Sequence, residues 1–332
     1  MVDWVASGAG PHDIEVRRGG TGRPLMSHAN GLSYELSTSF TSVEAKLAEM
    51  DAVGIDMTIV SLAPELFAYD LPPARALEAA RLANDALADF ARRSGGRVHA
   101  VATLPMGTPA AAAAELERAH LDLRLPGALL GASVEGEHLD AARFEPVLRT
   151  AEELGAPLML HPYRSMTGRP GLGMDGFHLA NTLGNPLETS IAASRLILGG
   201  VLDRHPGLTF QLAHGGGALP YLLGRLEHAY ETNPAARAVA AANPASYLGR
   251  FLFDTVLFDP RAVDFLLSLA GPGNVVFGSD LPFAEADRRS LERLTTAGAD
   301  NSRVLGLNAV RAYRLDAGDE AGEPSAAPAT QG

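Results

Sequence analysis

Cysteine is absent from the chain, which removes disulfide frameworks, Cys-ligated zinc and thiol catalysis from consideration. No basic block of about five or six residues occurs, and 27 Lys and Arg against 39 Asp and Glu leave a net charge of −12. A nucleic-acid surface is therefore not expected. No run reaches the roughly eighteen apolar residues of a membrane span, and no signal-peptide stretch opens the chain. The expectation is a cytoplasmic protein with no membrane partner. A Gly-x-Gly-x-x-Gly after an early strand is also missing, which counts against a dinucleotide-binding fold. What is present, at 46% hydrophobic and 20% charged residues over 332 positions, is the composition of a globular protein with enough chain for a large core.

The dominant rhythm is a short β-rich run, a turn, then a longer helical pattern. Strands are expected at 56–62, 98–104, 127–134, 157–161, 208–214, 251–256 and 274–280. Helical segments are expected at 74–93, 109–121, 141–154, 186–204, 218–231, 260–269 and 285–297. Thr108-Pro109, Asn185-Pro186 and Asp259-Pro260 each place a capping side chain before a proline suited to the first helical turn. Thr41-Ser42-Val43-Glu44 reads as a capping box opening a helix that runs to Gly54. Alternation of this kind predicts a parallel sheet with helical crossovers. The strand at 56–62 is largely apolar rather than alternating, as when both faces are covered. The fold class is α/β, a (β/α)8 TIM barrel with its first strand lacking or altered, because only seven strands are visible. Residues 1–40 read as an irregular N-terminal segment without a convincing strand, with a turn at Arg17-Arg18-Gly19-Gly20. Residues 41–315 form the barrel domain, and 316–332 read as a disordered tail.

Three polar residues stand at the same end of three of these strands: His161, His214 and Asp280. Each is followed by a loop breaker, namely Pro162, Gly215-Gly216-Gly217 and Pro282. Carboxyl ends of parallel strands converge on one face, where loops build active sites. Two imidazoles and a carboxylate delivered there predict an enzyme. An imidazole titrates near neutrality, which suits His214 to general acid–base work. The glycines beside it are expected to let substrate approach closely.

Four stretches then carry a family resemblance: Leu160-His161-Pro162; Asn185-Pro186-Leu187-Glu188 with the segment 198–206; the segment 212–220 around His214; and the segment 276–283 around Asp280. In this order they resemble the amidohydrolase superfamily, in its aminocarboxymuconate-semialdehyde decarboxylase-like branch, over about 41–315. The resemblance implies a divalent metal, zinc or alternatively manganese, held by His161 and Asp280. It implies His214, with Asp280, as the acid–base group, and a homodimer acting on a small-molecule carboxylate. Arg225 matches an arginine that can reach a substrate carboxylate in a neighbouring subunit, and His178, in a Gly-rich loop, is a candidate substrate-binding lid residue. Family members begin with a strand ending in His-x-His or Glu-x-His. No His-x-His occurs here, and the early histidines, His12 and His28, lie outside strand-like runs. The chain is therefore expected to begin after that strand, with two ligands where a catalytic zinc ordinarily has three. The activity expected is non-oxidative decarboxylation of a small unsaturated or aromatic acid. The alternatives are hydrolysis of a lactone or amide, conceivable without metal, and an inactive, N-terminally truncated relative.

Overall fold

The computed structural model describes residues 5–6, 14–28, 33–163, 172–174, 176–283, 286–289, 291–292, 294 and 301–315. The expected tail at 316–332 and His12 lie outside the described residues, as does most of the helix expected at 285–297.

The N-terminal segment corrects its reading. β1 (Ile14–Arg18), β2 (Pro24–His28) and β3 (Ser33–Glu35) form an antiparallel sheet in that order. The expected turn follows Arg18, where the Gly19 N–H bonds the Arg23 carbonyl at 2.7 Å. These strands are short and mostly solvated, so the alternation that marks a half-buried strand is weak. A small cluster of Ile14, Met26, Leu36 and Leu66 seats the sheet on the barrel.

The first barrel helix, α1 (Val43–Val53), is capped by Ser42, one residue later than Thr41, and ends at Gly54 in the left-handed conformation. β4 (Thr58–Val60) follows, then α2 (Pro73–Arg93). β5 (Val98–Ala100) and β6 (Ala102–Thr103) are one strand bent at Val101, whose N–H bonds the Val60 carbonyl while that of Ala102 bonds Gly127 on the other side. The remaining strands are β7 (Ala128–Gly131), β8 (Leu158–His161), β9 (Phe210–Leu212), β10 (Phe251–Asp254) and β11 (Val275–Val276). All pair in parallel in sequential order. The result is a (β/α)8-type barrel to which the described residues contribute seven strands, the number read from the sequence. The helices between include α3 (Pro109–Leu121), α4 (Glu145–Leu154), α5 (Asn185–Leu198), α6 (Val201–Arg204), α7 (Leu219–Thr232), α8 (Pro260–Ala270) and, after β11, α9 (Asn308–Tyr313). Of the three expected proline-flanked caps only Asp259 bonds its helix. Thr108 makes no side-chain cap bond, and Asn185 lies inside α5 after a π-helical turn at Ala180–Gly184.

Among the described residues, β4 and β11 are the two strands with a single barrel neighbour. The seam between them is closed by side chains. Phe277 and Leu281, beyond β11, pack on a cluster containing Met50, Ile55 and Val98, joined by Val60. Apolar burial substitutes there for a hydrogen-bonded ladder and fixes where the chain after β11 runs. Phe277→Ala is expected to destabilise the fold by about 2–3 kcal/mol in urea unfolding, below the fully buried range because Phe277 is half-buried. A change of less than about 0.5 kcal/mol, the size of an ordinary surface substitution, would show that the seam bears no load.

Candidate active site

β8 alternates strictly: Leu158 and Leu160 are buried, whereas Met159 and His161 are half-buried on the other face. That period of two turns His161 to the same side as Met159. Register aligns Gly131 with His161, Leu160 with Leu212, Phe253 with Leu212 and Asp254 with Val276, so the carboxyl ends finish level. The His161 Nδ1–H donates to the Pro162 carbonyl at 2.9 Å, which orients the ring and leaves Nε2 as the reactive nitrogen.

His214 comes from a different device. It lies beyond β9 with φ +56°, and Gly215, Gly216 and Gly217 follow at +60°, +77° and +64°. A non-glycine residue in that region is strained. The constraint is supplied by Asp254, at the end of β10. Its carboxylate accepts the N–H of His214 at 3.0 Å, of Gly215 at 2.9 Å and of Val256 at 3.0 Å. So held, the His214 ring stands 5.0 Å from that of His161, centroid to centroid, edge to face. The expectation that the glycines clear a path for substrate is corrected. A Cβ on Gly215 would meet Leu257, one on Gly216 would meet Phe253, and one on Gly217 would collide with the Pro186 carbonyl oxygen. Their space is taken by protein, and they serve the turn.

Asp280 also has positive φ, +59°. Its approach depends on Gly278, where a Cβ would come within 2.9 Å of the Asp254 Cβ. Thr255 Oγ accepts the Gly278 N–H at 3.1 Å and locks the two strand ends together. The Asp280 charge bears on both imidazoles and on Asp254. Burial pushes the pKa of each imidazole below its ordinary value; in His161 the neighbouring His214 adds to the depression, and Asp280 opposes it in both. Both rings are thus neutral at neutral pH. The Nδ1 of His214 is buried without a hydrogen bond among the described residues.

The structure therefore brings His161 and His214 into contact and sets the Asp280 charge within electrostatic reach of both. Arg225 and His178 stand apart: each is exposed, and neither is joined to the pair by a hydrogen bond, ring contact or ion pair among the described residues. Two residues escaped the sequence reading. Asp254 is a fourth polar strand end, visible in Phe251-Leu252-Phe253-Asp254 had the same test been applied there. Glu65, in the turn Pro64–Leu66 after β4, bears electrostatically on His161 and carries no sequence signal beyond its place after a strand. Beside the pair, Tyr163 packs on Phe67 and Tyr69 at 5.3 and 5.1 Å. The Tyr69 hydroxyl accepts the Gly131 N–H at 2.9 Å, so these rings brace the ends of β7 and β8.

An amidohydrolase family model matches residues 38–315. The chain belongs to that family. It is 32% identical over 289 residues to 2-amino-3-carboxymuconate-6-semialdehyde decarboxylase of Dictyostelium discoideum, covering 85% of this chain and 79% of that one. It is 34% identical over 294 residues to gamma-resorcylate decarboxylase of Rhizobium radiobacter, with 82% and 87% covered. Among solved structures, dihydroxybenzoic acid decarboxylase from Polaromonas sp., with bound manganese and the inhibitor 2-nitroresorcinol, superposes with a TM-score of 0.72 at 27% identity, over 81% of this chain and 85% of that one.

Burial pushes the Asp254 carboxyl up to about 6 from 3.8, against the pull of its three N–H donors and with help from the Asp280 charge. Between those values the folded state binds more protons than the unfolded chain. Stability contributed at this position is therefore present at low pH, falls as pH rises through the window, and levels off above about 6. The difference between wild type and Asp254→Asn in urea unfolding should shift against wild type by up to about 3 kcal/mol from pH 4 to pH 7. A pH-independent difference would contradict the assignment.

Proposed function

We propose that this amidohydrolase-family chain is a non-oxidative decarboxylase of a small aromatic or unsaturated carboxylic acid. The observation that carries the reading is the pair of neutral imidazoles 5.0 Å apart, both under the Asp280 charge, at the carboxyl end of a parallel barrel. Every named relative above is a decarboxylase, which weakens the lactone- or amide-hydrolysing alternative.

In the reaction the carbon bearing the carboxylate keeps the bonding pair as CO2 departs, and a proton must reach that carbon. His214 is assigned as the donor. A substrate carboxylate entering the buried site adds negative charge beside an imidazole that Asp280 already favours in its charged form, which raises its proton affinity. The proton acquired with substrate passes to carbon, and water restores it. Asp254 keeps the ring in position. His161, fixed through Pro162, orients the substrate oxygens, and His161 and Asp280 are the residues that would hold a divalent ion.

The relative from Polaromonas holds manganese, and a divalent ion is the cofactor this reading calls for, zinc or manganese. Here Nε2 of His161 and the Asp280 carboxylate are two suitable donors. Among the described residues no group of three His, Asp or Glu side chains stands together to hold a metal. The described donor set falls short of a catalytic metal site, which ordinarily takes three protein ligands, so no chemical step is routed through an ion.

The reading also places the protein in the cytoplasm as a homodimer. Among the described residues no helix is long and apolar enough to cross a membrane. Tyr221, 84% exposed, lies one helical turn before the exposed Arg225 on α7, a face open to a second copy. In that assembly Arg225 would serve the partner's substrate carboxylate, and His178 would serve as a substrate-facing loop residue.

The test is CO2 release from a panel of hydroxybenzoates, carboxyvanillate and 2-amino-3-carboxymuconate-6-semialdehyde. At least one acid should be turned over, and His214→Asn should lower kcat by about 10²-fold or more with an unchanged melting temperature. Absence of turnover across the panel, with manganese or zinc supplied, would overturn the proposal. Metal analysis of the chain after gel filtration should give well below one ion per chain; a full, tightly held equivalent would mean that further ligands complete the site.

A further inference from the structure

One cavity lies not at the histidine pair but at the opposite, amino-terminal end of the barrel strands. It encloses about 280 Å³ between the starts of β8, β9, β10 and β11 and the last helix, α9. Arg250, Arg311 and Arg314 line it, and no Asp or Glu does. That is unusual in a chain of net charge −12. Several arginines elsewhere are matched with carboxylates: Arg97 with Asp51, Arg118 with Asp85 and Glu115, Arg195 with Asp140. Glu152, beside the cavity at Gly207, is engaged by His205 Nδ1 at 2.8 Å and by the Gly207 N–H at 2.7 Å, and its charge also bears on Arg250.

The three guanidinium groups are held in place without an ion pair among the described residues. Arg250 Nη2 donates to the carbonyls of His205 and Leu208, both at 3.0 Å, which fixes its fork at the cavity wall. Arg311 Nη2 donates to the Gly273 carbonyl at 2.8 Å. The Arg314 guanidinium lies against Gly155, where a Cβ would collide with it, and makes no hydrogen bond or ion pair among the described residues. Carbonyl oxygens orient these forks but cancel none of their charge. Three like charges around one pocket repel each other, and a multiply charged anion relieves that repulsion while taking paired N–H donors from planar forks.

We infer that this cavity binds a phosphate-type dianion, free or as a small monoester, at a site separate from the reaction centre. Both sources offer the same tetrahedral oxyanion, and the volume leaves room for a short ester beside it. The test is isothermal titration of the full chain with inorganic phosphate and, separately, with glycerol 3-phosphate, in chloride-matched ionic strength, alongside Arg311→Gln, Arg314→Gln and the double variant. These two side chains are exposed, so the variants should fold, and their urea transitions verify it. Saturable binding at one site per chain is expected, weakened about tenfold by each substitution, with the melting temperature rising with ligand in wild type only. The tighter of the two ligands identifies the source. Heat that follows ionic strength alone, or affinity unchanged in the double variant, would overturn the site.

Discussion

One carboxylate bears more of the architecture than any of the residues proposed for chemistry. Asp254 accepts three backbone N–H groups and by doing so makes a left-handed histidine tolerable. Charge-assisted hydrogen bonds of this kind are worth about 1.5–3 kcal/mol each, more than enough to offset the roughly 1–2 kcal/mol cost of left-handed backbone at His214. The consequence is geometric. With the turn held by Asp254 and by the Gly216 and Gly217 N–H bonds to Ala213 and His214, the imidazole of His214 stands against that of His161. The same carboxylate is pressed against Gly278, so it sets the distance of the Asp280 strand as well. Positioning and electrostatics thus meet in one buried group whose own ionisation is costly.

That cost is consistent with the rest of the site. Two imidazoles withdrawn from water favour the neutral form, with the negative charge of Asp280 bearing on both and that of Glu65 on His161. A site so poised takes up a proton together with an anionic substrate, and it delivers that proton where electron density appears when CO2 departs. The opposite end of the barrel reverses the balance, with three arginines and, among the described residues, no Asp or Glu lining a cavity. The barrel core between them is apolar and close-packed, so the two ends are electrostatically distinct surfaces of one domain.

Much of this was legible in the sequence because parallel barrels write their catalytic face at strand ends. His161, His214 and Asp280 each terminate an apolar run, and all seven strands fell where the runs predicted, most of them trimmed at their ends where pairing gives way to loop. The antiparallel sheet of β1–β3 was not legible, since its strands are mostly solvated and separated by glycine. The place of Asp254, after the apolar run Phe251-Leu252-Phe253, was legible, but its role was not. Its work is done on backbone N–H groups forty residues away in sequence, and no local pattern advertises a carboxylate that braces a turn elsewhere. The triple glycine was noticed but misread as clearance for substrate, because spacing reveals that a side chain is excluded without revealing whether protein or ligand excludes it. Helix caps failed at Thr108 and Asn185 because tertiary packing and a π turn set those helix starts instead.

The central claim is that His214 delivers a proton to the carbon that loses CO2. Turnover of a hydroxybenzoate substrate in D2O, with the product read by proton NMR and mass spectrometry, tests it most directly. The account predicts one deuterium at the vacated carbon for wild type, and for a folded His214→Asn variant the loss of that product. Deuterated product formed by His214→Asn at the wild-type rate would contradict it and would move the proton donor to another residue.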